Sequence, residues 1–172
     1  MSRSDRAVQP GSAGPRQLLL PLDYPNEPVQ SAYIDGCNGS SHPDPSCIFC
    51  RHADPTVNTV VRSRGTMYAR WDNFPASRGH VEIVPFRHIL SFFDMTTRET
   101  RDMHVLARSV KDTLDSLYKP DGFTIGVNDG SAAGRTVPHL HIHIIPRWHG
   151  DVPDPRGGIR NVFADCDPDA WS

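Results

Sequence analysis

Three of the nine histidines fall within five residues, in His139-Leu140-His141-Ile142-His143-Ile144-Ile145. In a β-strand, alternate side chains share one face and stand about 6.6–6.8 Å apart along it. The three imidazoles therefore project one way, while Leu140, Ile142 and Ile144 project the other way into a core. An exposed polar face would be served as well by Thr, Lys or Ser, so a histidine at every polar position points to chemistry. Neutral imidazole can ligate a metal, or its lone pair can attack phosphorus and form a covalent phosphohistidine. A catalytic zinc hydrolase would want a carboxylate ligand or base close by. None adjoins this run, the nearest acids being Asp129 and Asp151. Instead, Asn128-Asp129-Gly130-Ser131-Ala132-Ala133-Gly134-Arg135-Thr136 precedes it. Its small residues permit close backbone approach, and Asn, Arg and Thr supply donors for phosphate oxygens. That loop favours the phosphorus chemistry.

A second constellation is Cys47-Ile48-Phe49-Cys50. Two intervening residues let both sulfurs reach one metal ion. A redox pair would open a helix after a strand, and no such pattern follows here. Two free buried thiols are the alternative, and that is the expectation for Cys37 and Cys166.

These groups need a frame to hold them. Val57 to Arg62 and Thr66 to Trp71 are β-rich runs around Ser63-Arg64-Gly65, a hairpin signature. Gly79 to Val84 alternates polar and apolar up to Pro85, as a half-buried strand would. Thr96-Thr97-Arg98-Glu99 is a capping box with Thr96 as N-cap. Behind it Met103, Leu106, Ala107, Val110, Leu114 and Leu117 keep helical spacing to about Tyr118. Pro120-Asp121-Gly122 then turns the chain into a strand over Phe123 to Val127, and His139 to Ile145 forms the last strand. The expectation is an α+β fold, an antiparallel sheet with one long amphipathic helix packed on it.

With these motifs in order, the chain resembles the histidine triad (HIT) superfamily of nucleotide hydrolases and transferases. The resemblance rests on the His-φ-His-φ-His-φ-φ run, φ being apolar. It extends to Trp71-Asp72-Asn73-Phe74-Pro75, Gly79-His80, Ile83-Val84-Pro85-Phe86-Arg87-His88, Asn128-Asp129-Gly130 and Gly134-Arg135-Thr136-Val137-Pro138. It implies a HIT-like fold with His141 as the nucleophile on the α-phosphorus of a nucleotide. His143 would contact the phosphate and assist the leaving group. Asp72 falls where the family holds ribose hydroxyls, Asn128, Gly134 and Thr136 where it holds phosphate, and His80 lines the same pocket. Arg135 stands where many members carry Gln, and a fixed cation there would stabilise a charged leaving group. An arginine pointing into solvent is the alternative. The resemblance also implies structural Zn²⁺ on Cys47, Cys50, His88 and His139, as in bacterial members with an N-terminal CxxC, and commonly a homodimer.

The implied activity is cleavage of a nucleoside 5′-phosphoryl bond, in a diadenosine polyphosphate, a nucleoside phosphoramidate or a similar compound. Water as acceptor makes a hydrolase, and phosphate or another group makes a phosphorylase or transferase. The competing expectations are a nucleotide-binding regulatory module with little turnover and a metal-dependent hydrolase using all three histidines. The expected substrate is an adenine nucleotide.

Composition narrows the partners. Over 172 residues, 18 Lys+Arg against 20 Asp+Glu give a net charge of −2. So balanced a surface speaks against nucleic-acid coating or anionic-membrane binding. The apolar run Leu18-Leu19-Leu20 ends at Pro21 and is too short for a leader or a membrane span, so a cytoplasmic protein is expected. Residues 1–45 hold seven Pro and four Gly. They read as a partly disordered arm, with Leu18 to Leu22 docking on the domain. Residues 46–158 are expected to form the HIT domain and 159–172 a tail. His42, His52, His104 and His149 read as surface residues, with His149 a candidate for the pocket rim.

Overall fold

The computed structural model describes residues 44–163. The docking of Leu18 to Leu22, His42, Cys37 and Cys166 lie outside them. Five strands, β1 (Val60–Arg64), β2 (Met67–Trp71), β3 (Val81–Pro85), β4 (Gly122–Gly126) and β5 (Ile142–Arg147), form one sheet in the order β1-β2-β3-β5-β4. Every neighbouring pair is antiparallel. One long helix, α1 (Thr97–Tyr118), packs on one face, as expected for this α+β class.

The two-residue turn Gly65-Thr66 closes the first hairpin, whose first strand starts at Val60, three residues later than expected, and runs on to Arg64. Gly65 has φ +52°, and a Cβ there would come within 2.2 Å of the Asp102 carboxylate. That carboxylate accepts from the Thr66 N–H and hydroxyl, each at 3.0 Å, and so ties the turn to α1.

α1 begins as its sequence dictates. The Thr96 hydroxyl accepts from the Glu99 N–H, and Glu99 accepts from the Thr96 N–H. Leu106, Val110 and Leu114 are buried against Met67, Ala69, Val81, Ile83, Leu140, Ile142 and Ile144. Leu117, expected on the same stripe, is 42% exposed. In the last turn Tyr118, four residues after Leu114, takes the core-facing place and packs against Trp71. Lys119 ends the helix in the left-handed region, ahead of Pro120.

Glu99 also accepts from the Arg87 guanidinium at 2.9 and 2.8 Å, which fastens the segment after β3 to the helix start. Burial works against the Glu99 charge, but the bonds from Arg87 and Thr96 outweigh it and hold the carboxyl below its usual range. A depressed folded-state pKa stabilises above the unfolded value, about 4.3, and that contribution fades as pH falls through the lower folded value. Glu99→Gln should therefore cost about 1.5–3 kcal/mol near neutrality, the range for hydrogen bonds to a charged group. Wild type and variant should converge in denaturant titrations carried toward pH 3.

β3 is not half-buried as its alternation suggested. All five of its residues are buried, because it is central and both sheet faces are covered. The polar positions of that alternation, His80 and Glu82, accordingly lie inside. β5 also differs from the expected span 139–145. By continuation of the register, Leu140 would face Pro85, which has no N–H to donate, so the ladder with β3 stops at Ile83↔Ile142. The Leu140 N–H turns to the Ile89 carbonyl at 2.7 Å instead. At the other end β5 runs through Pro146, paired only with β4, so the missing N–H leaves no ladder bond unmade.

Candidate functional site

The sheet face away from α1 carries the histidines. Although His139 and His141 precede the ladder, the alternation persists: Leu140, Ile142 and Ile144 enter the core under α1. His139 and His141 are 0% and 5% exposed. Burial and alternation assign them different neighbours.

His139 belongs with the cysteines. Its Nε2–H donates to the Pro85 carbonyl at 3.0 Å, leaving the Nδ1 lone pair toward Cys47 Sγ at 3.4 Å and Cys50 Sγ at 3.6 Å. His88 Nδ1 lies 3.1 Å from Cys50 Sγ. The four donor atoms all lie within 4.8 Å of one another. Tetrahedral bonds of about 2.3 Å to sulfur and 2.0–2.1 Å to nitrogen put neighbouring S and N about 3.5 Å apart. The nitrogen–sulfur distances fit that spacing. Burial raises the Cys50 thiol to about 11, and burial lowers His139 to about 4, so the imidazole is neutral and its lone pair free. A cation at the centre would reverse the thiol's preference. The donor set fits a metal ion.

His141 is turned differently. Its Nδ1 lies 2.8 Å from the His139 carbonyl, which can only accept, so Nδ1 carries the proton and Nε2 the lone pair. Burial lowers its pKa, against the opposing effects of that hydrogen bond and the Asp72 charge, and the Arg70 and Arg135 charges lower it further. The His143 ring stands 4.9 Å away, centroid to centroid, and the Phe49 ring 5.1 Å away. Phe49, inside the Cys-X-X-Cys run, also packs edge-on to His139 at 5.7 Å and so separates the cysteine cluster from His141. Sequence reasoning passed over Phe49, whose only signal was an apolar residue between two ligands.

His80 Nε2 is 3.0 Å from His143 Nδ1, and His80 Nδ1 lies 3.2 Å from the Ala76 N–H and 3.3 Å from an Asp72 oxygen. The other Asp72 oxygen accepts from the Phe74 N–H at 2.6 Å. The structure thus gathers Asp72, His80, His141 and His143. It also corrects the expectation that no acid adjoins the histidines. Glu82, on β3, is the cross-strand partner of both Arg70 and His143. Its carboxylate pairs with Arg70 and lies within 4.8 Å of ring nitrogens of His141 and His143. The signal was present in His80-Val81-Glu82, two polar residues on one face of a strand, but only sheet register brings that face to the triad.

The loop expected to hold phosphate follows β4, whose Gly126 pairs with His143. A short 3-10 turn, Ser131–Ala133, ends at Gly134 with φ +89°. Asp129 accepts from the Ser91 hydroxyl and the Phe92 N–H at 2.8 and 2.9 Å, pinning the loop. Asn128, Gly134 and Thr136 are exposed, and Arg135 is half-buried with a guanidinium N–H on the Leu90 carbonyl at 2.7 Å. Arg135 is therefore tethered, not free in solvent. One surface assignment changes, and His149 is exposed as expected but leaves the pocket rim. His52 is half-buried against Tyr68 and Phe86. His149 donates its N–H to Asp121 before β4, at the end of the β4–β5 pair opposite His143, so it does not rim the site. His104 is exposed, as expected.

The HIT domain family model matches residues 44–150. An AP-4-A phosphorylase of Mycobacterium tuberculosis is 33% identical over 95 residues, 54% of this chain and 49% of its own. A bis(5'-nucleosyl)-tetraphosphatase (asymmetrical) of Schizosaccharomyces pombe is 38% identical over 99 residues, 57% and 54% of the two chains. The chain thus spans about half the length of these curated relatives. Among solved structures, a Zn-bound histidine triad family protein from Mycobacterium smegmatis superposes with TM-score 0.55 at 28% identity, over 63% of this chain and 84% of that one.

Proposed function

The chain belongs to the HIT domain family, and from that premise we propose that it cleaves a nucleoside 5′-phosphoryl bond through a nucleotidyl-His141 intermediate. The observation that carries this is the fixed tautomer of His141: its Nδ1–H is held by the His139 carbonyl and its Nε2 lone pair is free. A buried, neutral imidazole in that tautomer is an oriented nucleophile.

In the first half-reaction the Nε2–phosphorus bond forms and the bond from phosphorus to the leaving oxygen or nitrogen breaks. His143 supplies the leaving group's proton. In the second, water or phosphate attacks phosphorus and frees His141. Asn128, Gly134 and Thr136 hold the phosphate oxygens and Asp72 the ribose. The tethered Arg135 keeps a positive charge near developing negative charge on the leaving group. The names of the two curated relatives support a dinucleoside polyphosphate or similar adenine nucleotide as substrate. We assign structural zinc to Cys47, Cys50, His88 and His139; the zinc-bound relative supports the metal's identity. When bound, it would cross-link the Cys47 segment to the strand carrying His141, and its closed ligand set leaves it no step in the reaction.

A second copy of the chain fits the exposed edge strand β4, where Ile125 is 56% exposed and Phe123 and Ala107 of α1 line a groove. No helix among the described residues is long and apolar enough to cross a membrane. We retain a cytoplasmic location, with no membrane or nucleic-acid partner.

The test is a panel of diadenosine polyphosphates, adenosine phosphoramidate and adenylyl sulfate, with and without inorganic phosphate. Release of AMP without phosphate marks a hydrolase, and phosphate-dependent formation of ADP marks a phosphorylase. Nucleotide binding with no turnover and no nucleotidyl-protein mass adduct would leave the regulatory module instead.

A further inference from the structure

Two of the triad histidines meet a carboxylate. A ring nitrogen of His141, a ring nitrogen of His143 and a carboxylate oxygen of Glu82 all lie within 4.8 Å of one another, the same limit that collects Cys47, Cys50, His88 and His139. The second set shares no residue with the first. Phe49 stands between them, its ring 5.7 Å from that of His139 and 5.1 Å from that of His141. Both histidines are anchored through Nδ1. His141 Nδ1 donates to the His139 carbonyl at 2.8 Å, and His143 Nδ1 lies 3.0 Å from His80 Nε2, so each ring keeps Nε2 for a ligand. Glu82 is anchored by its ion pair with Arg70. Imidazoles and carboxylates that bind metal are held in this way, by hydrogen bonds on atoms turned away from the ion.

His143 can offer its Nε2 lone pair because His80 has partners for either tautomer. With the Ala76 N–H at 3.2 Å from His80 Nδ1, His80 Nε2 carries the proton and donates to His143 Nδ1, which places the His143 proton on Nε2. Asp72 supplies the alternative. Its oxygen, 3.3 Å from His80 Nδ1, accepts a proton placed there; His80 Nε2 then accepts from His143 Nδ1–H, and His143 Nε2 is left bare. Both rings are neutral in either arrangement. Asp72, His80 and His143 also fall within the same limit of one another, but an ion among them would have to break these hydrogen bonds.

We propose that Glu82, His141 and His143 bind a second divalent transition-metal ion, which caps His141 Nε2 and so blocks nucleotidyl transfer. The binding stands on the cluster itself; only the block rests on His141 being the nucleophile. Two imidazoles and one carboxylate suit Zn²⁺, Co²⁺ or Cu²⁺ and disfavour Mg²⁺ and Ca²⁺, which take oxygen ligands. This site has no thiolate, and the Arg70 charge lies beside Glu82. It therefore binds more weakly than the cysteine set, and its ion comes and goes while the first stays. A lone pair shared with a metal cannot also attack phosphorus. Ion and nucleotide thus compete for His141, and removal of the ion restores the nucleophile unchanged.

The test titrates Co²⁺ into the wild-type protein loaded with one equivalent of zinc, and reads visible absorption beside turnover of a diadenosine polyphosphate. One further equivalent should bind with cobalt d–d bands. It should lack the sulfur-to-cobalt charge-transfer band that displacement of zinc from Cys47 and Cys50 would give. Turnover should fall in step with the d–d bands, and brief treatment with EDTA should reverse both. A non-cleavable nucleotide should suppress the bands. His141→Asn and His143→Asn should abolish them, and Glu82→Gln should weaken cobalt binding at least about tenfold. The two histidine variants decide the matter if Glu82→Gln does not fold. No second equivalent, the same bands in His141→Asn as in wild type, or turnover unchanged or raised by cobalt would overturn the proposal. In each of these cases a nucleotidyl-protein adduct formed by wild type in EDTA would leave the nucleophile reading standing. Absence of that adduct would overturn the nucleophile reading and the block with it, while the bands alone would still decide the binding.

Discussion

His141→Asn should lower turnover at least about 10³-fold while nucleotide binding changes little. The attacking Nε2 is removed, but Asp72, Asn128, Gly134 and Thr136, which we assign to ribose and phosphate, stay where they are. The asparagine side chain is short enough for the pocket between Phe49 and His143, whose rings stand 5.1 and 4.9 Å from the His141 ring. Single-turnover kinetics and equilibrium binding of a non-cleavable nucleotide separate the two effects. Retention of more than about one hundredth of wild-type activity, a barrier change under about 2.7 kcal/mol, would mean that His141 is not the nucleophile. Were the three histidines instead a catalytic metal site, the variant would lose metal. Because we assign His139 to the metal with Cys47, Cys50 and His88, on the far side of Phe49, metal content should be unchanged.

Cys47→Ser should have the largest effect on stability. One equivalent of zinc is expected in carefully prepared protein, and the variant should lose most of it. An ion that binds only the folded chain, present at about 1,000 times its dissociation constant, stabilises by about 4.1 kcal/mol. For a domain of this size each kcal/mol moves Tm by about 2–4 °C, so the midpoint should fall by about 8–16 °C. Activity should fall by less than in His141→Asn. The Nδ1–H of His141 is held by the backbone carbonyl of His139 itself, so a loosened ligand reaches the nucleophile as a small displacement, which at about 1 Å can cost on the order of 10²-fold. Metal analysis is the first check. Wild-type protein without zinc would remove this assignment and leave that of His141 untouched, since the tautomer argument does not involve the metal.

Much of the fold was legible because its signals are local. The capping box at Thr96 and Glu99 and the apolar spacing through Leu114 define α1 without reference to anything distant. The hairpin, the strands over Val81 and Phe123 and the apolar face of Leu140, Ile142 and Ile144 were visible to within a few residues. Errors fell where a neighbour intervened. Pro85 ended the β3–β5 ladder before His141, and Tyr118 took the core-facing place in the last turn of α1, leaving Leu117 exposed.

The site divides along the same line. Residue types and spacing by themselves determined that three imidazoles share a face, that two sulfurs reach one point and that a small-residue loop precedes them. They left open which histidine does what, because alternation places His139, His141 and His143 identically. Tertiary structure decided it through hydrogen-bond partners distant in sequence. The Pro85 carbonyl turns His139 toward the cysteines, the His139 carbonyl sets the tautomer of His141, and His80 faces His143. It alone brought Arg70 and Glu82 to the histidines, because antiparallel register joins Arg70, Glu82 and His143 in a row across three strands. A ring nitrogen's proton is placed by whichever atom lies opposite it, and that atom is chosen by packing rather than by chain position.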